Sequence, residues 1–444
     1  MSDRTSIEDF EHVLPEEQIP LIVEPQGTST VSEKPVGASN FSLRNTFTAL
    51  RYRNFKLWFI GQTISLLGTW MQATAQGFLV FQLTHSPVYL GYVGFAYGLP
   101  TWLFMLYGGV LADRLPRRKV LIFTQTAMMI FAFVLATLTF SHLVQAWHII
   151  IMAFLLGIAN AFDAPSRQAF VNELVERKDL TNAIALNATM FNIGTFIGPA
   201  VSGITYALFG PAWCFTINGI SFIGVIIALF LMKIRNGHEY VDKGKSILTE
   251  LKEGMRYVKN NSIIRTIIIL VGVSSVFGIS FATLIPAWAV KILHGDATIN
   301  GLLQSARGFG ALVSALLIAS LGRFTFKGKL LTWGSFFFPV FLFIFAFISW
   351  LPLALIFLFL IGLSHIMIFN LANATVQTLV DDSLRGRVMG IYTFTFFGMM
   401  PVGSLLMGFL AEQFGEPEAV IIGAVITFAA AISIFITVPK LRKQ

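Results

Sequence analysis

Gly109-Val110-Leu111-Ala112-Asp113-Arg114-Leu115-Pro116-Arg117-Arg118 is a charged cluster between two stretches almost free of charge. Residues 88–112 before it hold no Asp, Glu, Lys or Arg, and after Lys119 none appears until Asp163. A hydrocarbon core of ~30 Å takes about 20 residues of helix to cross. Two long apolar runs joined by a short basic loop therefore predict two membrane-crossing helices with the loop at the surface.

The pattern repeats outward in both directions. The 444 residues are 55% hydrophobic and only 12% charged, with a mean hydropathy of +0.73. Soluble proteins are about a quarter charged, so that class is excluded. Apolar spans lie near 56–83, 88–112, 119–141, 147–171, 181–209, 213–233, 263–293, 299–321, 329–350, 352–380, 388–414 and 418–438. Basic residues gather before the first span (Arg44, Arg51, Arg53, Lys56) and after every even-numbered one: Arg114 to Lys119, Arg177 and Lys178, the segment 233–261, Arg323 to Lys329, Arg385 and Arg387, and Lys440 to Lys443. Joints after odd-numbered spans hold almost none, Lys291 being the exception. By the positive-inside rule this alternation gives an even number of spans with both termini in the cytoplasm. The expectation is an all-α membrane protein of twelve transmembrane helices in two six-helix, pseudo-symmetric halves. The parts are a tail at 1–42, a first bundle at 43–234, a cytoplasmic central loop at 235–262, a second bundle at 263–438 and a basic end at 439–444.

The tail holds eight acidic residues and only Arg4 and Lys34, with no basic start or apolar run, so it reads as a disordered acidic segment and not a signal peptide. Without it the body carries +14, charge that belongs to loops beside a lipid bilayer and not to nucleic acid. Cys214 is the single cysteine, and no Cys/His cluster has metal-ligand spacing, so neither disulfide framework, metal nor cofactor is expected. Gly244-Lys245-Ser246 ends like a phosphate-binding loop, but Glu239 replaces its leading glycine and no strand precedes it. An ATPase, and an enzyme generally, is set aside.

Several polar residues stand inside the spans. Gln62, Ser65, Thr69, Gln72 and Gln76 recur at intervals of three and four, which lines one helix face. In a membrane that face must meet protein or water; it either lines a cavity or glues helices together. Asp163 is costly there and so is a functional candidate, with Arg167 four residues on to pair with it. Arg307 stands ~12 Å into its span with no acid at its depth. It either snorkels to the interface or meets carbonyls, water or an anionic substrate. His365 is a midplane histidine, suited to proton coupling by its ordinary pKa of about 6.5 or simply packed. Asn370, Asn373 and Gln377 share a stripe in the same span.

The two halves echo each other weakly. Ala159-Asn160-Ala161 with Gln168 matches Ala372-Asn373-Ala374 with Gln377, and glycines surround a proline at Gly194, Gly198, Pro199 and Gly203 and again at Gly398, Pro401, Gly403 and Gly408. Small residues let membrane helices approach closely. Parallel repeats of this kind occur in secondary transporters that bind substrate at the midplane.

The stretch from Gly109 through Asp113 and Arg114 to Arg117 and Arg118 resembles the signature loop of the major facilitator superfamily, with Pro116 where that family usually has glycine. The resemblance implies that Asp113 latches the two halves near Arg385-Gly386-Arg387, and that Asp163 joins the loop's charges, pairing with Arg117 or Arg167 as a structural ion pair or a proton carrier. The Gly194 to Gly203 motif is similar to one associated with exporters, mostly proton antiporters. Ser86-Pro87, Asp163-Ala164-Pro165-Ser166-Arg167-Gln168, Asn182 to Asn187 and Arg385 to Gly390 resemble the siderophore-exporter and macrolide-efflux-like branch. What this implies is a proton-coupled exporter of an amphipathic small molecule, working by alternating access, monomeric, in a bacterial inner membrane. Uptake by symport and a receptor or scaffold that does not transport are the alternatives.

Overall fold

The apolar runs fold as helices, interrupted where proline, glycine or charge breaks the pattern. The computed structural model describes residues 47–233, 247–321 and 327–437. The acidic tail, the loop with Gly244-Lys245-Ser246, the joint at 322–326 and the basic end at 439–444 lie outside them. The first six helices are α1 (Arg53–Thr84), α2 (Pro87–Arg114), α3 (Arg117–Phe140), α4 (Ala146–Leu174), α5 (Leu180–Phe209) and α6 (Pro211–Leu231). A shorter α7 (Ile247–Asn260) follows. Then come α8 (Ser262–Ile292), α9 (Ala297–Leu321), α10 (Lys327–Phe345), α11 (Leu351–Leu379), α12 (Arg385–Phe414) and α13 (Glu416–Thr437). No strand occurs among the described residues.

Ten of these, α3 to α6 and α8 to α13, are long and apolar enough to cross a membrane. α1 and α2 have the length as well, although α1 carries Gln62, Gln72, Gln76 and Gln82. A second difference is α7, in a segment read from sequence as loop. Gly254 and Val258 are buried one turn apart while Lys252, Arg256 and Lys259 are exposed. One face rests on α12, where Glu253 pairs with Arg387 and a Cβ at Gly254 would lie 3.0 Å from Ile391.

The joints differ by end. Every positive φ among the described residues falls after α1, α3, α5, α8 or α12: His85, His142, Gly210, His294 and Gly415. These connections reverse the chain in a few residues, and glycine adopts that conformation freely while histidine does so more often than most. Lys291, the basic exception at this end, is paired with Glu416 at the start of α13 at 2.7 Å.

α8 is not a uniform helix. α-helical to Val273, it passes through a π turn at Ser274–Gly278, a 3-10 stretch at Ile279–Leu284 and a second π turn at Trp288–Ile292. Ser280 donates to the Ser275 carbonyl at 2.7 Å, and Pro286 removes a backbone donor. Both are recognised causes of local rewinding.

Packing pairs α2 with α4, α1 with α5 and α6, and α3 with α4 and α6. Among later helices α9 pairs with α11, α8 with α12 and α13, and α10 with α11 and α13. The two sets meet chiefly along α2 with α12 and α5 with α9. One buried apolar cluster comes wholly from Val258 onward and another wholly from residues up to Met232. A third, around Met71 and Phe215, reaches Ala287 and Ala297.

Candidate functional site

The basic joint after α2 is pinned by its arginines. Arg117 donates to the Ala112 carbonyl at 3.2 Å in the last turn of α2, to the Ala169 carbonyl at 3.4 Å, and to Glu173 at 2.9 Å on α4. Arg118 donates to the Phe230 carbonyl at 3.0 Å at the end of α6. Cations at helix C-termini complete carbonyls left without donors. Arg114 is exposed. The side chain of Asp113, and with it the expected latch, lies outside the described side chains. Gly109 has open space where a Cβ would be, whereas a Cβ on its neighbour Gly108 would overlap the Ala161 carbonyl oxygen of α4. Close approach therefore falls to the glycine that the motif does not include.

Asp163 is 1% exposed. Its Oδ1 accepts from Thr124 and from Gln125 of α3, each at 2.9 Å, and its Oδ2 stands 3.8 Å from Arg167 Nε. Of the two expected cationic partners, Arg167 is in ion-pair range, while Arg117 is engaged with Glu173. Buried charge is tolerated only when hydrogen-bonded and compensated. Here two neutral donors do most of the satisfying, and the cation stays beyond hydrogen-bond distance.

The α1 stripe leads into this network. Ser65 Oγ lies 3.5 Å from Gln125 Oε1, so Ser65, Gln125 and Asp163 form a chain across three helices. Gln72 accepts from Asn218 of α6 at 2.7 Å, Gln76 donates to the Ile149 carbonyl of α4 at 3.2 Å, and Thr69 donates to the Ser65 carbonyl at 2.8 Å. Gln62, Ser65, Gln72 and Gln76 are all buried. In this conformation Ser65, Gln72 and Gln76 meet α3, α6 and α4, while Gln62 Oε1 and Gln72 Nε2 are buried without a hydrogen-bond partner.

The Gly194 to Gly203 motif on α5 serves two neighbours. Gly194 and Gly198 face Trp70 of α1, where Cβ atoms would lie 2.8 and 2.6 Å from its side chain. Gly203 faces α9, 2.7 Å from the Ala297 carbonyl oxygen by the same measure. Pro199 has no N–H for the Thr195 carbonyl four residues back, and a Cβ at Gly308 of α9 would overlap that same oxygen. Pro165 treats Ala161 alike, and Gly108 of α2 lies against it. In both places proline frees a carbonyl and a glycine on the adjacent helix covers it.

Arg307 and His365 occupy the last six helices. Arg307 is half-buried on α9, and its Nε has no hydrogen-bond partner. A Cβ on Gly362 of α11 would overlap the Arg307 carbonyl oxygen, and His365 follows one turn along. The His365 ring is 6% exposed between Phe338 and Phe369, at centroid distances of 5.8 and 4.6 Å, with Nε2 unpartnered. Asn373 accepts from Gln377, and Asn370 is exposed. The structure thus brings together Ser65 and Asp163 but leaves Arg307, His365 and the Asn370 stripe as a separate group. Sequence reading missed Thr124 and Gln125, a polar pair in an apolar span. It also missed Asn300 and Gln304, which precede Arg307 at seven and three residues. No group of three or more His, Cys, Asp or Glu placed to hold a metal exists among the described residues.

The described residues form helices without strands, ten of them of crossing length and apolarity, around a buried, networked carboxylate, and this is the build of an integral membrane protein. The chain belongs to the transmembrane secretion effector family of the major facilitator superfamily, whose model matches residues 44–444. It is 28% identical over 363 residues to the staphyloferrin A transporter of Staphylococcus aureus, covering 81% of this chain and 90% of the relative. It is 26% identical to the multidrug efflux pump Tap of Mycolicibacterium fortuitum, over 78% of this chain and 87% of the pump. To macrolide efflux protein A of Streptococcus pyogenes it is 24% identical, over 82% and 92%. Its fold matches the crystal structure of a bacterial homologue of the human lysosomal transporter Spinster, inward-facing and unoccupied, with a TM-score of 0.64, 12% identity and coverage of 88% and 96%.

Proposed function

We propose that this protein is a proton-coupled exporter of an amphipathic small molecule that works by alternating access between two six-helix halves. The observation that carries the reading is the seam where α1–α6 meet α8–α13. α2 meets α12 through Gly91, Gly94 and Gly98 against Ser404, Gly408 and Pro401, and α5 meets α9 through Gly203 against Gly301. These contacts cluster at the end with the tight positive-φ turns, so the halves close on one another there. The helix pairings of the first six recur in the last six, which supports the repeat. The basic joints favour a reading in which the opposite end faces the bacterial cytoplasm. The names of the efflux relatives favour the outward direction.

Asp163 is the proton carrier in this reading. Its bonds from Thr124 and Gln125 serve the carboxylate, and Arg167 at 3.8 Å holds the charge without capturing it. The test uses everted membrane vesicles energised to an acidic interior, with an internal pH dye, challenged with siderophores, macrolides and other amphiphiles. Substrate-dependent release of protons is expected in the wild type and its loss in Asp163→Asn. Unchanged release in that variant would remove Asp163 from coupling, and no response to any compound would sink the exporter reading.

A further inference from the structure

Arg307 is a cation held without a partner at the junction of the two helix sets. Among the described residues it makes no hydrogen bond or ion pair, and its Nε is buried. The acids of the last six helices, Asp296, Asp381, Asp382, Glu412, Glu416 and Glu418, stand at or near helix ends, while Arg307 is ten residues into α9, ~15 Å along it. Asn300, Gln304 and Arg307 follow at i, i+4 and i+7, which places them on one face. That face is directed at the first six helices. Gln304 donates to Asn300 at 3.2 Å, and Thr74 of α1 lies 3.5 Å from Gln304. Arg307 is therefore the charged end of a polar ridge at the place where α9 meets α1. Its backbone is held on both sides, by Gly308 against Thr195 of α5 and by Gly362 of α11.

We propose that Arg307 receives a carboxylate of the transported molecule, so that the substrate class is an amphipathic organic acid. This rests on the transporter reading above and names what it carries. A guanidinium whose Nε is buried without a partner is costly, and its planar fork of donors fits a carboxylate with two parallel bonds. The amides of Gln304 and Asn300 offer further donors along the ridge. An acidic head on the amphipathic molecule of the transporter reading matches the guanidinium and these amides.

The full chain in phosphatidylcholine nanodiscs, free of anionic lipid, is titrated with dansylglycine and with dansylglycinamide, which lacks only the carboxylate. Dansylglycine is expected to bind about tenfold more tightly. Arg307→Gln should erase that preference by weakening the acid alone, and Arg307→Lys should keep part of it. The melting temperature of Arg307→Gln should not fall, since the variant removes an uncompensated charge. Equal binding of both probes to the wild type, a preference that survives Arg307→Gln, or equal weakening of both probes together with a lower melting temperature would each overturn the proposal. Binding is read without flux, so failure of the vesicle assay and failure of this one are separate results.

Discussion

Gln125 of α3 donates its amide to Asp163 of α4 at 2.9 Å while its own oxygen lies 3.5 Å from Ser65 of α1, so one neutral side chain ties three helices to the buried carboxylate. Gln125→Leu keeps the size but leaves Asp163 with one hydrogen bond from Thr124. The loss should be about 1–3 kcal/mol, seen as a lower melting temperature in detergent. Asp163→Asn in the Gln125→Leu background should recover part of it, because the charge no longer needs the donor. No recovery would mean that Gln125 acts only through packing.

The glycines that meet backbone should behave unlike those that meet nothing. Gly308→Ala and Gly108→Ala each push a methyl onto a carbonyl freed by proline, and each should cost about 1–3 kcal/mol by overpacking. Gly224 has no atom within 4 Å of a Cβ. Gly224→Ala should be neutral or stabilise by up to ~1 kcal/mol through helix propensity. Thermal unfolding of the three variants side by side checks the ordering.

Lys291 and Glu416 are opposite charges at 2.7 Å, with the glutamate side chain only 6% exposed. Glu416→Gln strands a lysine beside an apolar surface, and Lys291→Met strands the buried acid. Either single change should destabilise by about 1–3 kcal/mol, and the double variant by less than their sum. A double-mutant cycle on melting temperatures measures the difference.

Tyr52 donates to Asp179 at 2.7 Å, and that bond, then burial and the aspartate's charge, raise its phenol above the ordinary 10.0. A raised value favours the protonated phenol in the folded state, so the contribution is complete below pH ~10 and is lost as pH rises through the folded value. The stability difference between wild type and Tyr52→Phe should be constant from neutral pH to about 9 and shrink above 10. A difference that grows with pH would contradict the assignment.

The helices were legible because hydropathy is a local property. The Gln62 to Gln76 face was legible as a stripe, but its destination was not: the periodicity gives a direction around one helix, and Asn218, Ile149 and Gln125 lie 70 or more residues away or on other helices. Asp163 drew notice by its cost, whereas Thr124 and Gln125, the groups that offset that cost, look ordinary in an apolar run. α7 was hidden because its apolar residues are too few to register beside the spans, although Gly254 and Val258 had the spacing. Gly108 was overlooked for Gly109 since only the position of the Ala161 carbonyl separates them.

The α2 and α12 seam has one further consequence. Past Trp102 of α2, which sits against Gly398 and Phe394 of α12, the stretch where Gly91, Gly94 and Gly98 face Ser404, Gly408 and Pro401 meets through backbone and small groups. Such a surface behaves as a plain bearing does against a gear: attraction is spread evenly over bare backbone, and a small rotation trades one set of contacts for a nearly equal set. Bulk added there should act as grit, altering how fast the two parts turn before it alters how firmly they hold.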